Sequence, residues 1–442
     1  MTRRLVLLYL FVSLSLCLSA HAQRRRASSA SDTIVIGGLF SLTGDGATLG
    51  NASKAALELA VCDMNAEFEA LRVPWNVQLV LADTKLTPSG AVDGIHALQV
   101  AGATIVIGPQ SSAEAGAIVD YANANSIIVI SQGSTASSLA IADDYLFRLA
   151  PNDKLEGAAI ASLMHSDGID VLVPIWRDDA GNGGLKTNTS AFFTGTVAPG
   201  VSYAPTTTDF TATVTSLGNA VRAAKSANPG KKVAVFIASF EEGASILDRA
   251  RLDPDLAVNW YSGDGLTQSQ ALLASAPIAA FAATTKFTAP SVALSETTRN
   301  RWEPLSAEIQ SIVGFAPDAF SLSVYDGAWA AVLSAIEAQR AGAAPRVVCA
   351  QRRALLGRDR SAVARRGRRS PPRRLRFLDR HRRRVEEALT ERGRPGRSDR
   401  ASRSIANAAG RDARRLRART PALLIAAQAP HLVDARQERG SS

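Results

Sequence analysis

Short apolar runs alternate with longer helix-like segments along most of the chain. In residues 33–150 the strand-like runs are residues 33–40, 77–82, 104–107 and 127–130. The segments between them, such as 52–68 and 89–101, carry apolar residues at helical spacing. Strands and helices in alternation predict a parallel sheet that is covered by helices on both faces.

A second alternation follows an extended run at residues 145–151. Its strand-like runs are residues 170–175, 200–203, 233–238 and 258–262, and a loop rich in glycine and aspartate is predicted at 178–184. Helical patterns separate these runs, at residues 155–165, 185–193, 210–227 and 243–251. Two successive α/β units of similar size predict two Rossmann-like lobes with parallel sheets, and a cleft between them where a small molecule can bind.

Two turns rich in hydroxyl groups follow consecutive strands of the first unit. The first, GPQSS, contains Ser111 and Ser112, and the second, SQGST, contains Gly133, Ser134 and Thr135. In a parallel sheet both turns lie at the carboxyl ends of the strands, where such sheets bind ligands. Backbone N–H groups of the next helix, together with these hydroxyls, would form a neutral cradle for a carboxylate. Alternatively, the hydroxyls only cap helices.

One carboxylate of the second unit is notable for its position. Asp264 lies between two glycines, shortly after the strand-like run 258–262. Aspartate beside glycine commonly belongs to a turn, and that is one interpretation. The other is that Asp264 is the counter-charge for a ligand ammonium, across the cleft from the neutral cradle. A zwitterion removed from water needs a partner for each of its charges, and the two units together would supply both.

The N-terminus has the pattern of a secretory signal. Arg3-Arg4 precede an apolar stretch at residues 5–18, and Ala20-His21-Ala22 matches a cleavage site. The sequence therefore predicts a signal peptide at residues 1–22, a disordered leader at 23–32, and a periplasmic or extracellular location. An uncleaved signal anchor is the alternative, although the apolar stretch is shorter than the roughly 20 residues that span a bilayer.

The net positive charge of the chain comes from its last part. Residues 1–345 carry 22 Lys and Arg against 31 Asp and Glu, whereas residues 346–442 carry 28 against 9 and no lysine, which gives a net charge of +10. Such a tail could bind nucleic acid or an anionic membrane, or be disordered. We favour a reading-frame change near residue 346, because out-of-frame codons of a GC-rich gene often encode Arg, Ala, Gly and Pro. We therefore expect no nucleic-acid partner.

Several segments, in order, resemble type I periplasmic binding proteins, and within these the leucine/isoleucine/valine-binding proteins of ABC transporters. They are IVIGGLFSLTGDGATLGNASKAALELAVCDMN, the GPQSS and SQGSTASS turns, FRLAPND and SGDGL. The resemblance covers residues 33–345. It implies a first lobe made of residues 33–150 and 275–345, a second lobe made of 151–274, and a branched-chain or related amino acid bound between lobes that close on it.

The resemblance also implies roles for individual residues. Those expected to hold the ligand's carboxylate and ammonium are Ser112 or its neighbour Ser111, Gly133 and Thr135. Asp264 would pair with the ammonium, and Phe240 and Phe320 would be aromatic residues of the pocket. Tyrosines that many relatives place in the pocket are replaced by Leu49 and Gly181. We therefore expect intact recognition of the amino-acid backbone and an altered pocket for the side chain.

The resemblance implies the substrate-binding protein of an ABC importer, with a membrane permease as partner and a monomeric state. A sensory or receptor ectodomain of the same fold is the alternative; it would be tethered to a membrane or a signalling domain. We predict neither an enzyme nor a metal or cofactor site. The five histidines and three cysteines show no metal-ligand spacing, and there is no nucleophile elbow or phosphate-binding glycine loop with lysine.

Overall fold

The computed structural model describes residues 32–342 of the chain. The predicted signal peptide, the leader up to residue 31 and the basic tail from residue 346 lie outside these residues. The described part forms two α/β lobes, each built on one parallel sheet. This confirms the predicted fold class.

The first lobe is built on a five-stranded sheet. Its strands are β1 (Asp32–Phe40), β2 (Trp75–Asp83), β3 (Ile105–Ile107), β4 (Ile128–Ser131) and β5 (Leu146–Arg148), in the order β2-β1-β3-β4-β5. The helices between them are α1 (Ala47–Ala70), α2 (Pro88–Val100) and α3 (Ser112–Asn125). Helices cover both faces of a parallel sheet, which explains why every residue of β3 is apolar and buried.

The second lobe repeats this plan. Its strands are β6 (Val171–Arg177), β7 (Thr196–Val197), β8 (Val201–Tyr203), β9 (Val233–Ala238) and β10 (Asn259–Ser262), in the order β10-β9-β6-β7, and β8 pairs with the last residues of β6. Its helices are α4 (Asp153–Ser166), α5 (Ala180–Phe192), α6 (Thr211–Ala227), α7 (Gly243–Ala250), α8 (Gln270–Ala274) and α9 (Ala276–Thr284). The carboxyl ends of both sheets therefore carry the loops predicted to face the cleft.

The chain returns to the first lobe with α10 (Arg299–Val313) and α11 (Ala319–Ala341). Helix α11 packs in the core of the first lobe, and its Tyr325 hydroxyl donates a hydrogen bond to Asp63 Oδ2 of α1 at 2.8 Å. Within the described residues, Ala319–Arg340 is the one stretch long and apolar enough to cross a membrane, but most of it is buried in the structure. Its packing makes α11 a core helix of the first lobe.

The second lobe extends further along the chain than residue 274, the predicted boundary. Helix α9 packs against the second sheet, where Phe281 meets Trp260 of β10 edge to face with ring centroids 6.0 Å apart. Thr288 pairs with Tyr261 of β10, whereas Leu294 packs against the core of the first lobe. The crossing therefore falls between residues 288 and 294, because the apolar residues of α9 bury against the second sheet.

Two helices begin earlier than the sequence pattern predicts. Helix α1 starts at Ala47, before the predicted helical segment 52–68, and α5 starts at Ala180 inside the predicted loop 178–184. Asp179 caps α5, since its side chain accepts a hydrogen bond from the Asn182 amide at 2.9 Å. Leu49 and Gly181 consequently lie in the first turns of helices and not in loops.

Candidate ligand-binding cleft

One cleft between the lobes gathers nearly all the residues singled out by the sequence. It contains about 870 Å³ of empty space, including its open mouth. The predicted residues that line it are Leu49, Ser111, Ser112, Gly133, Thr135, Gly181, Phe240, Asp264 and Phe320. Ser134 does not line the cleft, because it is fully buried behind the wall. Thr135 and Asp264, from opposite lobes, thus share one space.

The first hydroxyl turn caps a helix through one of its two serines. The Ser111 side chain accepts a hydrogen bond from the Glu114 amide, and Glu114 accepts one from the Ser111 amide, so this pair forms a capping box at the start of α3. Ser112 makes no such cap: its Oγ accepts a hydrogen bond from the Ala136 amide at 3.1 Å. Ser111 is thus a structural cap, and Ser112 is the hydroxyl of this turn not engaged in capping.

The second hydroxyl turn is held firmly against the first. The Ser131 hydroxyl donates to the Pro109 carbonyl at 2.6 Å, and the Ser134 and Ser112 hydroxyls are hydrogen-bonded at 3.1 Å. The prediction of a following helix is wrong here, since only a short 3₁₀ turn, Ser137–Leu139, follows. Free helix-end amides are therefore available only from the first turn, and the second contributes ordered loop groups.

Thr135 lies where the chain approaches the second lobe. Its carbonyl accepts a hydrogen bond from the Asp153 amide, the first residue of α4, at 3.0 Å. Burial raises the pKa of the Asp153 carboxyl, while the Thr135 hydroxyl and the charge of Arg148 act in the opposite direction. The cradle of the first lobe is thus coupled directly to a buried carboxylate of the second.

Asp264 begins a 3₁₀ turn after β10 and lies in the wall of the cleft. Its amide donates to Glu156 Oε1 at 2.8 Å. Burial, followed by the negative charges of Asp153 and Asp318, raises the pKa of Asp264 from 3.8 to about 7. Burial and the charge of Asp264 likewise place the pKa of Glu156 well above its ordinary value. Several carboxyl groups therefore crowd this end of the cleft.

Asp318 is a further carboxylate of the cleft that the sequence analysis missed. Its Oδ1 accepts hydrogen bonds from the Ser321 amide and hydroxyl, both at 2.8 Å, so Asp318 is the N-cap of α11. Burial raises the pKa of this carboxyl. An aspartate before a helix can be recognised in the sequence as a cap. The sequence does not show that this cap faces a cleft, because Asp318 is far along the chain from Asp264.

The two lobes also touch through a buried arginine, which sequence reasoning did not identify. Arg177 ends β6, and its Nε lies 3.0 Å from Asp179 Oδ2 while its Nη1 lies 3.4 Å from Glu242 Oε1. Across the lobes, Nη1 lies 3.8 Å from Asp45 Oδ2. The guanidinium also stacks over the Phe240 ring, 5.5 Å from its centroid. Phe240 is thus fixed in the pocket wall by a cation above it.

A second contact between the lobes lies beside this arginine. The Thr48 hydroxyl of α1 donates a hydrogen bond to Glu241 Oε1, and the Glu241 amide donates to the Asp45 carbonyl at 3.3 Å. Burial raises the pKa of the Glu241 carboxyl. These contacts join the start of α1 to the loop after β9, so the structure has the lobes closed against one another.

The replaced tyrosine positions lie close to the cradle. A Cβ atom built on Gly181 would lie 3.4 Å from Ser112 Oγ of the other lobe, and one built on Gly133 would lie 3.6 Å from Leu49 Cδ2. A large side chain at Gly181 would therefore occupy space beside Ser112. Leu49 and Gly181 thus both lie in the wall of the cleft near the first hydroxyl turn.

The fold and the cleft define a two-lobed protein that encloses a small ligand. A model of the family described as "periplasmic binding protein" matches residues 33–354 of the chain. The chain belongs to the periplasmic binding protein family. Among curated proteins it is 27% identical, over 71% of its own length and 75% of the other chain, to an uncharacterised protein of Methanocaldococcus jannaschii.

Solved structures share the fold at low sequence identity. The substrate-binding protein of a branched-chain amino acid transporter from Streptococcus pneumoniae, in complex with isoleucine, matches with a TM-score of 0.55 and 19% identity over 72% of this chain and 87% of that one. A leucine-binding protein from Thermotoga maritima matches with a TM-score of 0.54 and 21% identity, over 72% of this chain and 86% of that one. A solute-binding protein from Rhodopseudomonas palustris, in complex with 3,4-dihydroxybenzoic acid, matches with a TM-score of 0.52 and 16% identity, over 72% of this chain and 84% of that one.

Proposed function

We propose that the chain is the extracytoplasmic substrate-binding protein of an ABC importer and that it binds an amino acid in the cleft. One observation carries the proposal: Ser112, Gly133 and Thr135 of the first lobe and Asp264 of the second line the same space. The ligand's carboxylate contacts the hydroxyls and amides of the first lobe. Its ammonium pairs with Asp264, which compensates the desolvation of both charges.

Closure of the lobes follows from this division of contacts. A ligand bound to one lobe gains the contacts of the other only in the closed state, so it shifts the population of the protein toward closure. The pairs Arg177–Asp45 and Thr48–Glu241 add contacts between the lobes that depend on the same movement. An importer uses this difference because its permease must distinguish loaded from empty protein.

The known ligands of similar structures support the class of ligand but not its identity. One similar structure holds isoleucine and another holds 3,4-dihydroxybenzoic acid, so this fold accepts both a zwitterion and an aromatic acid. An aromatic acid has no positive charge to set against Asp264 in the cleft wall. The carboxylate therefore favours an amino acid over an aromatic acid for this chain.

Calorimetry of the full chain against the standard amino acids tests the proposal. We expect saturable binding of at least one amino acid and a loss of about 30-fold or more in affinity for Asp264→Asn, the cost of removing one partner of a desolvated charge pair. Asp120→Asn is the matched control, since this exposed carboxylate of α3 lies outside the cleft. Absence of binding with every amino acid would contradict the proposal.

The partner and location need separate experiments. Stimulation of ATP hydrolysis by a permease in proteoliposomes, seen only with ligand-loaded protein, would support an importer over a receptor ectodomain. Recovery of the chain from the periplasm with a new N-terminus near Gln23 would support export through a cleaved signal. Size-exclusion chromatography with light scattering tests the expected monomer.

A further inference from the structure

The polar groups of the cleft are strongly unbalanced toward negative charge. The acidic residues that line it are Asp45, Glu241, Asp264 and Asp318, and no Lys, Arg or His of the described residues lines it. The single ammonium of a neutral amino acid would match only one of these carboxylates. The remaining three need other partners, because an unpaired charge in a partly desolvated site is costly.

Two of the four carboxylates have a partner within the protein. Asp45 lies 3.8 Å from the Arg177 guanidinium, and Glu241 accepts a hydrogen bond from the Thr48 hydroxyl at the start of α1, where the helix dipole favours an anion. This pair therefore belongs to the contact between the lobes. Its charges are compensated without a ligand.

The other two carboxylates are not balanced by a cation of the described residues, although Asp318 accepts hydrogen bonds from the Ser321 amide and hydroxyl as the N-cap of α11. Asp264 comes from the second lobe and Asp318 from the first, both line the cleft, and the charge of Asp318 acts on Asp264. No Lys, Arg or His of residues 32–342 forms an ion pair with either of them. Asp153 and Glu156 add further negative charge behind Asp264. Closure thus brings two negative charges together, and a positively charged ligand offsets the repulsion while both carboxylates stay ionised.

An unsatisfied acceptor in the same cleft points to a ligand rich in donors. Gln110 lines the cleft and is only 4% exposed. Its Nε2 donates to the Gly46 carbonyl at 3.0 Å, which fixes the orientation of the amide, and its Oε1 has no hydrogen-bond partner among the described residues. A buried acceptor of this kind requires a donor, and a second amino or guanidino group of the ligand can supply one.

Building on the proposed function, we propose that the ligand is a basic amino acid, with its α-ammonium at Asp264 and its second cationic group at Asp318. The carboxylate of the ligand remains at Ser112 and Thr135. The positions of the two missing tyrosines, Leu49 and Gly181, leave room for the longer side chain. A neutral branched-chain amino acid leaves Asp318 without a cation partner in the closed state, so it binds more weakly.

Matched ligand pairs test this proposal on the unmodified full chain. Lysine and norleucine, ornithine and norvaline, and arginine and citrulline differ mainly in the distal charge. Calorimetry should show the charged member of at least one pair binding about 10- to 100-fold more tightly than its neutral partner, as expected for one desolvated ion pair. Equal or tighter binding of the neutral member in all three pairs overturns the proposal and leaves amino-acid binding intact.

The variant Asp318→Asn identifies the residue that recognises the distal charge. Asparagine caps helices as well as aspartate does, so α11 keeps its N-cap. We expect the preference for the charged ligand to fall to within about twofold, because the charged ligand loses its distal partner while its neutral analogue binds as tightly as before or more tightly, and we expect no effect in the control Asp120→Asn. Equal weakening of both ligands overturns the assignment, because Asp318 would then serve the α-ammonium. If calorimetry detects no binding of any amino acid, both the proposed function and this inference are overturned.

Discussion

The substitution Asp264→Asn should stabilise the ligand-free protein while it weakens ligand binding. The Asp264 carboxylate lies in the cleft wall, and burial with the nearby charges of Asp153 and Asp318 raises its pKa from 3.8 to about 7. Asparagine has nearly the same shape without the charge. The substitution Asp264→Asn therefore removes the repulsion and the desolvation cost together.

The direction of the effect with pH follows from proton linkage. The folded protein binds this proton more tightly than the unfolded chain, so the free energy of unfolding falls as pH rises from about 3.8 to about 7 and is level above. The shift of roughly 3 units sets a ceiling of ~4 kcal/mol. Water in the cleft screens the charge, so we expect Asp264→Asn to recover ~1–2 kcal/mol above pH 7, a rise of about 2–6 °C in Tm.

Thermal denaturation followed by circular dichroism measures this effect. Wild type, Asp264→Asn and the control Asp120→Asn are compared at about pH 5 and about pH 8, with and without the ligand found by calorimetry. We expect the gain of Asp264→Asn to be larger at the higher pH, and ligand to raise Tm in wild type but not in this variant. The reasoning would be refuted if Asp264→Asn had a lower Tm than wild type at the higher pH, or if its gain in Tm were the same at both pH values.

Three further predictions concern the cleft and the contact between the lobes. The ligand's ammonium needs an ionised Asp264, and the neighbouring carboxyls Asp153, Glu156 and Asp318 make ionisation harder. Affinity measured by calorimetry should therefore fall by up to about tenfold for each pH unit below 7. An affinity independent of pH contradicts this. Ser111→Ala removes the capping box of α3 and should cost ~1 kcal/mol in urea denaturation with unchanged affinity, whereas Ser112→Ala should weaken binding; the reverse pattern would exchange their roles. Arg177→Met leaves Asp179 and Glu242 without their cation and should destabilise the protein by ~3–5 kcal/mol, and an unchanged urea midpoint would show that the arginine is dispensable.

The sequence determined the fold class because the pattern of apolar residues depends only on local periodicity and burial. The runs that became β1, β3, β4 and β9 are apolar since helices cover both faces of a parallel sheet. The two hydroxyl turns and the turn of Asp264 were readable for the same reason, as they directly follow such runs. Helix starts were less readable: α1 and α5 begin within glycine-containing segments that look like loops.

Only the tertiary structure decided which polar groups share the cleft and which are already used. Ser111 caps a helix, Ser134 lies behind the wall, and Asp318 meets Asp264 from a helix that packs on the other lobe. The lobe boundary moved for a similar reason, since α9 buries its apolar face on the second sheet. Charges and hydroxyls act over a few ångströms of space, and residues from different lobes come within that distance only when the chain has folded and the lobes have closed.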